Sequence, residues 1–320
     1  MNPNTSLAEP IAVRLHSITY AARDTHLYEF VRANDGAMPD VAPGAHVDLH
    51  LPNGTTRPYS LVRAGRGMKS YVVGVKLDPK SRGGSRFIHD KLMVGTQMSL
   101  SAPRNHFPLK EDAPHTLLIA GGIGITPIWC MAQHLQERNA SWELWYSCRS
   151  RADAAFRDEM AAFGDRVHLH FDEEAGTLID LKALVASASP EAHLYCCGPT
   201  PMLTAYEAAA AARDPDTVHL EHFGSVQAAA TDGGYVIELA RSGCELAVPS
   251  GKSILDVLVA NNISMNSSCL QGVCGYCEVA VLEGEVDHRD SILTPSERAS
   301  NSTMMVCCSG AKSARLVLDI

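Results

Sequence analysis

Four of the ten cysteines are spaced so that they could hold a metal cluster. They follow the pattern C-x4-C-x2-C with a fourth cysteine after 29 further residues, and they are Cys269, Cys274, Cys277 and Cys307. This spacing is typical of a plant-type [2Fe–2S] site, in which two thiolates bind each iron. Gly272 and Gly275 lie inside the loop, where glycine lets the backbone curl around an inorganic core. The pattern predicts a one-electron carrier in the C-terminal part of the chain.

A structural zinc site is the main alternative for these cysteines. Zinc sites usually pair two short C-x2–4-C units, whereas the distant partner here is the adjacent pair Cys307-Cys308. Adjacent residues rarely bind one tetrahedral ion together, so the spacing favours iron–sulfur. It leaves open which of the two is the fourth ligand. No isolated cysteine is expected to be a ligand, and Cys196 and Cys244 are interpreted as small core residues.

A second group of residues has the chemistry of a flavin site. The segment Arg57-Pro58-Tyr59-Ser60 offers a cation for phosphate, an aromatic ring for the isoalloxazine and a hydroxyl for flavin N5. Lys76 comes next, and then Arg82-Gly83-Gly84-Ser85 opens a predicted short helix, whose first N–H groups can hold an anion. Each segment alone could be an ordinary turn, so the prediction depends on their combination with two glycine-containing turns further along the chain.

These two glycine-containing turns could bind a pyridine nucleotide. Gly121-Gly122-Ile123-Gly124-Ile125-Thr126-Pro127 follows a buried strand and opens a helix, and Cys197-Gly198-Pro199 ends the last predicted strand of the same region. Glycines there allow a pyrophosphate to approach a helix end closely. Both turns are expected at the carboxyl ends of parallel strands, where ligands bind in open α/β sheets. The alternative for Cys197 is a purely structural cysteine.

The choice between NADH and NADPH depends on the residues after the second and third strands of this region. Arg149 and Arg151 could bind a 2′-phosphate, but Phe171-Asp172-Glu173-Glu174 is strongly acidic. Asp172 is included among the predicted cofactor-binding residues. The residues alone leave both nucleotides open.

Before residue 225, the sequence predicts two successive regions of secondary structure that position these residues. Five short apolar or alternating runs separated by Gly, Pro, Asn and Asp turns predict a sandwich or small antiparallel barrel, and they span 12–18, 27–31, 46–51, 70–75 and 97–100. A short helix is expected over 86–92. Strands then alternate with helices, which predicts a doubly wound, mainly parallel sheet. Its strands are expected at 116–120, 142–147, 167–171 and 193–197, and its helices at about 125–138, 154–163, 180–186 and 200–213.

Residues 225–234 are small and polar and are interpreted as an exposed linker. A hairpin over 235–239 and 245–248 comes next, then a helix with Ser253 as N-cap, the cysteine loop and a final strand over 315–318. The predicted domains are therefore a flavin-binding β-barrel over 1–110, a nucleotide-binding α/β domain over 111–224, the linker, and an α+β ferredoxin domain over 235–320.

Composition and charge narrow the possible partners. The chain has 320 residues and a net charge of −9, which argues against nucleic acid because phosphate contacts need clustered Lys and Arg. The first residues lack the basic and apolar regions of a signal peptide, and no apolar run is long enough to span a bilayer. We therefore expect no membrane partner and a cytoplasmic location.

The C-terminal segment resembles the ferredoxin domain of the phthalate dioxygenase reductase and vanillate demethylase reductase family. The likeness is carried by SSCLQGVCGYCEV, VDHRD, TMMVCCSG and RLVLD, and the order RPYS, GGS, GGIGITP and CGP extends it over nearly the whole chain. The resemblance implies a β-grasp ferredoxin domain and selects Cys307 rather than Cys308 as the fourth ligand. Gly310 departs from an arginine common in the family, which leaves cluster ligation untouched.

The same resemblance implies roles for the flavin residues. Arg57 and the Gly84-Ser85 turn would hold the phosphate, Tyr59 would pack on the ring and Ser60 would face N5. Phe223 resembles an aromatic residue that lies against the flavin, although it could be an ordinary core phenylalanine. Since this branch uses FMN and NADH, we expect FMN rather than FAD.

For the nucleotide, the resemblance implies that Gly121, Gly122 and Gly124, with Gly198 and Pro199, bracket NADH rather than NADPH. Thr126 and Cys197 would lie near the nicotinamide, which makes them, with Ser60, the catalytic candidates.

The combined hypothesis is a reductase that passes electrons from NADH to FMN, to the [2Fe–2S] cluster and on to a separate Rieske non-haem iron oxygenase. The oxygenase would act on an aromatic acid or a similar small molecule. A flavin is needed because NADH gives two electrons together whereas the cluster takes one. One alternative keeps the cofactors but reduces a cytochrome P450. A non-enzymatic alternative is an interaction subunit stabilised by zinc.

Overall fold

The computed structural model describes residues 9–79, 81 and 83–320, so Arg82 of the predicted phosphate turn lies outside the described residues. The chain divides into two compact units, one ending at Glu221 and the other spanning His222–Ile320. The flavin and nucleotide regions share the first unit, and the predicted linker lies within the second. Among the described residues, no helix is both long and apolar enough to cross a membrane.

The first sheet is antiparallel and has the strand order β4-β3-β6-β1-β2-β5. Its elements are β1 (Ile11–Ala22), β2 (Thr25–Arg32), β3 (His46–His50), β4 (Thr56–Ser60), β5 (Ser70–Lys76), α1 (Gly84–Lys91) and β6 (Gln97–Leu100). A bridge between Leu61 and Val73 links the two edges of the sheet, which closes it toward a barrel. The barrel core includes Val13, Phe30 and Val47, all fully buried.

The second sheet is parallel, with the strand order β11-β10-β7-β8-β9. Its elements are β7 (Thr116–Gly121), α2 (Ile125–Glu137), β8 (Trp142–Cys148), α3 (Arg157–Met160), β9 (Val167–Phe171), α4 (Asp172–Ala175), α5 (Leu181–Ser187), β10 (His193–Cys197), α6 (Thr200–Ala210) and β11 (Val218–Glu221). The helix expected over 154–163 is only a short turn of helix followed by 3-10 backbone, with Gly164 in a non-helical conformation. β11 was not expected.

The second unit is a mixed sheet with the order β13-β12-β18-β14-β16 and a small β15-β17 pair. Its elements are β12 (Tyr235–Leu239), β13 (Cys244–Val248), α7 (Ile254–Ala260), β14 (Glu278–Glu283), β15 (Val286–Asp287), α8 (Pro295–Ser300), β16 (Thr303–Met305), β17 (Gly310–Ala311) and β18 (Arg315–Leu318). β12 and β18 are parallel, and the buried face of α7 packs in the same core. Ser253 caps α7 by accepting the N–H of Asp256, as predicted.

Two residues of the second unit differ from local expectations. Residues 225–234, expected to be an exposed linker, are exposed or half-buried apart from Ala230, which is 7% exposed and donates its N–H to the Cys308 carbonyl at 2.7 Å. The interpretation of Cys244 as a core residue is wrong, since it is exposed on β13, whereas Cys196 is buried. β13 is the edge strand of its sheet, and its first two residues, Cys244 and Glu245, are both exposed.

Candidate functional site

The four predicted ligand cysteines are all buried, on two segments of the second unit. Three lie in the irregular loop between α7 and β14, and Cys307 lies just after β16. The loop curls through left-handed backbone at Leu270, Gly272 and Gly275, with φ of 57°, 66° and 69°. The backbone N–H groups of Gln271 and Val273 point at the Cys269 sulfur at 3.3 and 3.5 Å, as a loop that wraps a sulfur-rich core requires.

The thiols of these cysteines crowd together. Hydrogen bonds with Cys274 and Cys307, together with burial, raise the pKa of the Cys269 thiol, and a hydrogen bond with Cys307 raises the pKa of Cys277. A metal ion that binds such thiols takes them as thiolates, and their protons are released to solvent. The donor set, the burial and the curled loop therefore fit a [2Fe–2S] cluster.

The position of Cys308 differs from that of Cys307, although both are buried. Its sulfur lies against Gly272, where an added Cβ would come within 2.5 Å of it, and it contacts the Met305 carbonyl at 3.8 Å. Cys307, by contrast, contacts both Cys269 and Cys277. These contacts favour Cys307 as the fourth ligand, and that assignment stays a prediction.

In the part of the chain that the structure describes, no three His, Cys, Asp or Glu side chains form a group that could hold a single metal ion. A two-iron cage needs only two thiolates on each iron.

The predicted flavin residues meet at the start of helix α1. An added Cβ on Gly84 would come within 2.8 Å of Arg57 Cγ and Nε, so the absence of a side chain at Gly84 lets the guanidinium stem lie against the first turn. A cation beside the first N–H groups of a helix can form a site for a phosphate, although the N–H of Arg86 already donates to the Ser81 hydroxyl at 3.2 Å. Ser85 instead accepts the N–H of Asp78 through its hydroxyl at 3.2 Å.

Three further predicted flavin residues lie in different surroundings. Tyr59 packs against the barrel core, and burial raises the pKa of its phenol, so it is a neutral aromatic surface. Lys76 ends β5 and is exposed. Phe223 belongs to the second unit and is 42% exposed, so its contact with a flavin remains a prediction.

Ser60 has a partner that the sequence reasoning missed, namely Glu221. The Ser60 hydroxyl donates to the Glu221 carboxylate at 3.3 Å. Burial raises the pKa of that carboxyl to about 8, and the hydrogen bond from Ser60 opposes the shift. Glu221 ends β11 directly beside Cys197 on β10, so one hydrogen bond connects the flavin residue with the nucleotide strand. The sequence did carry one indication of Glu221, because ligand-binding residues of an α/β sheet lie at the carboxyl ends of its strands.

The two predicted nucleotide turns are in van der Waals contact. An added Cβ on Gly124 would lie 2.2 Å from the Cys197 carbonyl oxygen, and one on Gly121 would lie 3.3 Å from Gly198 Cα. An added Cβ on Gly121 would also be 2.8 Å from Pro199 Cδ. Glycine is therefore required at Gly124 for these turns to approach. Both turns lie at the carboxyl end of the parallel sheet, as expected.

Hydrogen bonds and burial fix three residues within these turns, namely Thr126, Gly122 and Cys197. Thr126 is buried and donates to the Ile123 carbonyl at 3.1 Å, and its methyl group faces Gly74 of the barrel. Gly122 has φ of 53°, and its carbonyl accepts the Tyr146 hydroxyl at 3.1 Å. Burial raises the pKa of the Cys197 thiol, so Cys197 is a neutral residue here.

The two arginines that could bind a 2′-phosphate are engaged by acidic residues. Arg149 donates to Glu173 at 3.0 Å, and Arg151 donates twice to Glu174, at 2.6 and 2.7 Å. Asp172 accepts the Ser147 hydroxyl at 3.2 Å. The acidic segment therefore neutralises the cations on the neighbouring turn.

Comparison with known proteins agrees with this site. A model of the 2Fe-2S iron-sulfur cluster binding domain matches residues 237–312, and a model of the oxidoreductase NAD-binding domain matches residues 118–208. The fold and these two domains define an iron–sulfur flavoprotein oxidoreductase.

Whole-chain relatives identify the family. The chain is 51% identical to the phenoxybenzoate dioxygenase subunit beta of Ectopseudomonas oleovorans, over 97% of this chain and 98% of the relative. The structure of phthalate dioxygenase reductase is similar with a TM-score of 0.73 and 35% identity, over 97% of this chain and 98% of that one. A type IV self-sufficient cytochrome P450 monooxygenase is similar with a TM-score of 0.88 and 35% identity, over 100% of this chain and 43% of that one. The chain belongs to the phthalate dioxygenase reductase family.

Family membership confirms the expected fold class, the oxidoreductase activity and the cofactors, which are a [2Fe–2S] cluster, FMN and NADH. The chain is therefore a reductase of the type found in oxygenase systems, and it moves electrons from NADH to an iron–sulfur cluster. The individual site residues remain predictions.

Proposed function

We propose that this reductase delivers its electrons to a separate Rieske non-haem iron oxygenase that acts on an aromatic acid. The observation that supports the electron path is the burial of the four predicted ligand cysteines on the second unit, together with the Ser60–Glu221 hydrogen bond on the first. A relative that is similar over its full length is named as part of a phenoxybenzoate dioxygenase, which supports an oxygenase of aromatic acids as the acceptor.

The residues of the first unit bind and orient the two reactants. Bound FMN would accept hydride from NADH and release single electrons to a [2Fe–2S] cluster. Arg57 and the first turn of α1 hold the flavin phosphate, and Tyr59 presents a neutral ring to the flavin. Ser60 and Glu221 hold a proton between them beside Cys197. On the second unit, Cys269, Cys274, Cys277 and Cys307 hold the cluster.

The paired charges after β8 and β9 account for the choice of NADH. A 2′-phosphate would have to displace Glu173 and Glu174 from Arg149 and Arg151 and would meet their negative charge. We expect the double variant Glu173→Gln/Glu174→Gln to raise kcat/KM for NADPH by about threefold to tenfold, because each exposed ion pair contributes little by itself. The value for NADH should stay within about twofold. An unchanged NADPH value would contradict this account of specificity.

The raised pKa of Glu221 predicts a dependence of stability on pH. Because burial raises the pKa of this carboxyl from 4.5 to about 8 in the folded chain, the folded state binds a proton that the unfolded state has lost between these values. Stability therefore falls as the pH rises through this window and levels off above about 8. The Glu221→Gln variant has no ionisable group at this position, so its stability should not fall in this way as the pH rises. The difference in Tm between the Glu221→Gln variant and the parent should grow from pH 5 to pH 8, and a constant difference would contradict the assignment.

Delivery of electrons to two purified acceptors tests the proposed partner. The reductase should support NADH-dependent turnover of a Rieske oxygenase on an aromatic carboxylate, with one NADH consumed per product. The likeness to a cytochrome P450 monooxygenase makes a P450 the second candidate acceptor. Faster reduction of a P450 than of the Rieske oxygenase, at equal acceptor concentration and ionic strength, would overturn the proposal.

A further inference from the structure

A buried aspartate with a partly exposed arginine partner packs against the cysteine loop. The side chain of Asp290 has 0% exposure, and its Oδ2 accepts the N–H groups of Ile292 and Leu293 at 3.2 and 2.8 Å. Arg298 of α8 donates to the Asp290 carbonyl at 2.7 Å, and its Nη2 lies 3.8 Å from Oδ2. The Asp290 side chain and its arginine partner are thus held in a fixed place by these backbone hydrogen bonds.

This pair contacts the loop between the first two ligand cysteines. The N–H of Ser291 donates to the Gly272 carbonyl at 2.9 Å. An added Cβ on Gly272 would lie 2.8 Å from Asp290 Cα and 3.0 Å from its Cβ. An added Cβ on Gly272 would also lie 2.5 Å from the sulfur of Cys308, the neighbour of Cys307. Asp290 therefore packs directly against the loop that carries the proposed ligand cysteines.

Few hydrogen bonds surround Asp290 and Arg298, so neighbouring groups screen their charges weakly. In the described part of the second unit, several buried polar atoms lack a hydrogen-bond partner, and they are Ser268 Oγ, His288 Nδ1 and Nε2, Asp290 Oδ1, Ser291 Oγ and Arg298 Nε. His288 Nδ1 lies 3.6 Å from Asp290 Oδ1, and burial lowers the pKa of His288, so this ring adds no charge at neutral pH. A fixed charge in such surroundings acts over a longer distance than one in water.

We propose that Asp290 and Arg298 are positioning residues that set the reduction potential of the cluster with opposite signs. Reduction adds one negative charge to the cluster. Asp290 therefore disfavours the reduced form and lowers the potential, whereas Arg298 favours the reduced form and raises the potential. The pair holds the potential between the values that either charge alone would give. This inference rests on the cluster ligation proposed above.

The neighbouring pair of Asp287 and Arg289 is a matched control. It consists of the same residue types joined at 2.8 Å, and its arginine is about as exposed as Arg298, at 32% against 35%, but its aspartate is 23% exposed whereas Asp290 is 0% exposed. Since solvent and salt screen exposed charges, the Asp287→Asn variant should leave the potential nearly unchanged.

The test is a redox titration of the holoenzyme, monitored by electron paramagnetic resonance at fixed pH and salt. At a fixed potential near the midpoint, Asp290→Asn should raise the ratio of reduced to oxidised cluster by about tenfold, which is about 59 mV for a one-electron couple. Arg298→Gln should lower that ratio by a smaller factor, about threefold, because 35% of the Arg298 side chain is exposed and solvent screens its charge. Arg298→Lys should restore the parent ratio, because the charge is kept.

Shifts of the same sign in Asp290→Asn and Arg298→Gln would overturn the proposal, as would shifts no larger than that of Asp287→Asn. Loss of the cluster in both variants would give the pair a structural role and would also overturn it. Visible absorption and iron content of the parent protein are measured first. An absent cluster there contradicts the proposed ligation, whereas a present cluster with unshifted potentials contradicts only this inference.

Discussion

Replacing Cys307 with serine should remove most of the [2Fe–2S] absorption and lower NADH-dependent reduction of any one-electron acceptor that takes its electron from the cluster by at least about 100-fold. Cys307 is the cysteine after β16 whose sulfur contacts both Cys269 and Cys277, and its loss would leave one iron with a single thiolate. Reduction of the flavin by NADH should continue, because Arg57, Tyr59 and Ser60 of the proposed flavin site lie in the other compact unit. Visible absorption, iron content and stopped-flow flavin reduction measure the three effects.

The adjacent Cys308 is the matched control, since it is equally buried and has the same chemistry. Its sulfur packs against Gly272 and the Met305 carbonyl. Cys308→Ser should therefore keep a nearly parental cluster spectrum. A parental spectrum in Cys307→Ser combined with cluster loss in Cys308→Ser would exchange the two assignments.

Replacing Gly124 with alanine should raise the KM for NADH at least about tenfold and slow hydride transfer, while FMN and cluster remain bound. The added methyl group would lie 2.2 Å from the Cys197 carbonyl oxygen. Backbone atoms cannot give way there unless the two nucleotide turns separate. Rapid-reaction kinetics of flavin reduction against NADH concentration, with FMN and iron content as checks, measure this effect.

Gly224 provides the control for that substitution, because no atom lies within 4 Å of a Cβ added there. Gly224→Ala should leave the KM for NADH within about twofold of the parent. Equal KM values in the two alanine variants would contradict the close approach of the turns as a requirement for nucleotide binding.

The spacing of cysteines and glycines predicted the kinds of cofactor better than apolar patterns predicted the helices and strands. The cysteine pattern alone indicated the cluster, because ligand spacing on a tight loop is set by the inorganic core. The glycine turns were predictable for a similar reason, since only glycine permits the approach of Gly124 to Cys197. Resemblance, not spacing, separated Cys307 from Cys308. The contacts of the Cys307 sulfur favour the same choice, which stays a prediction.

The features that sequence reasoning missed depend on tertiary contacts. β11 has only four half-buried residues at the edge of its sheet, so its periodicity is too short to be recognised. Glu221 at its end was missed with it, because the partner Ser60 lies 161 positions away. The buried Asp290 reads as part of a charged surface segment, and only packing against Gly272 shows its place.

An anaerobic titration with NADH tests the central claim of electron transfer from NADH through FMN to the cluster. The full-length protein, reconstituted with FMN and iron, should consume about 1.5 equivalents of NADH, because the flavin takes two electrons and the cluster one. The flavin and cluster absorption bands should both bleach, and the signal of a reduced [2Fe–2S] cluster should appear in electron paramagnetic resonance. Consumption that ends at one equivalent with the cluster still oxidised, or a protein that retains no flavin, would contradict the account.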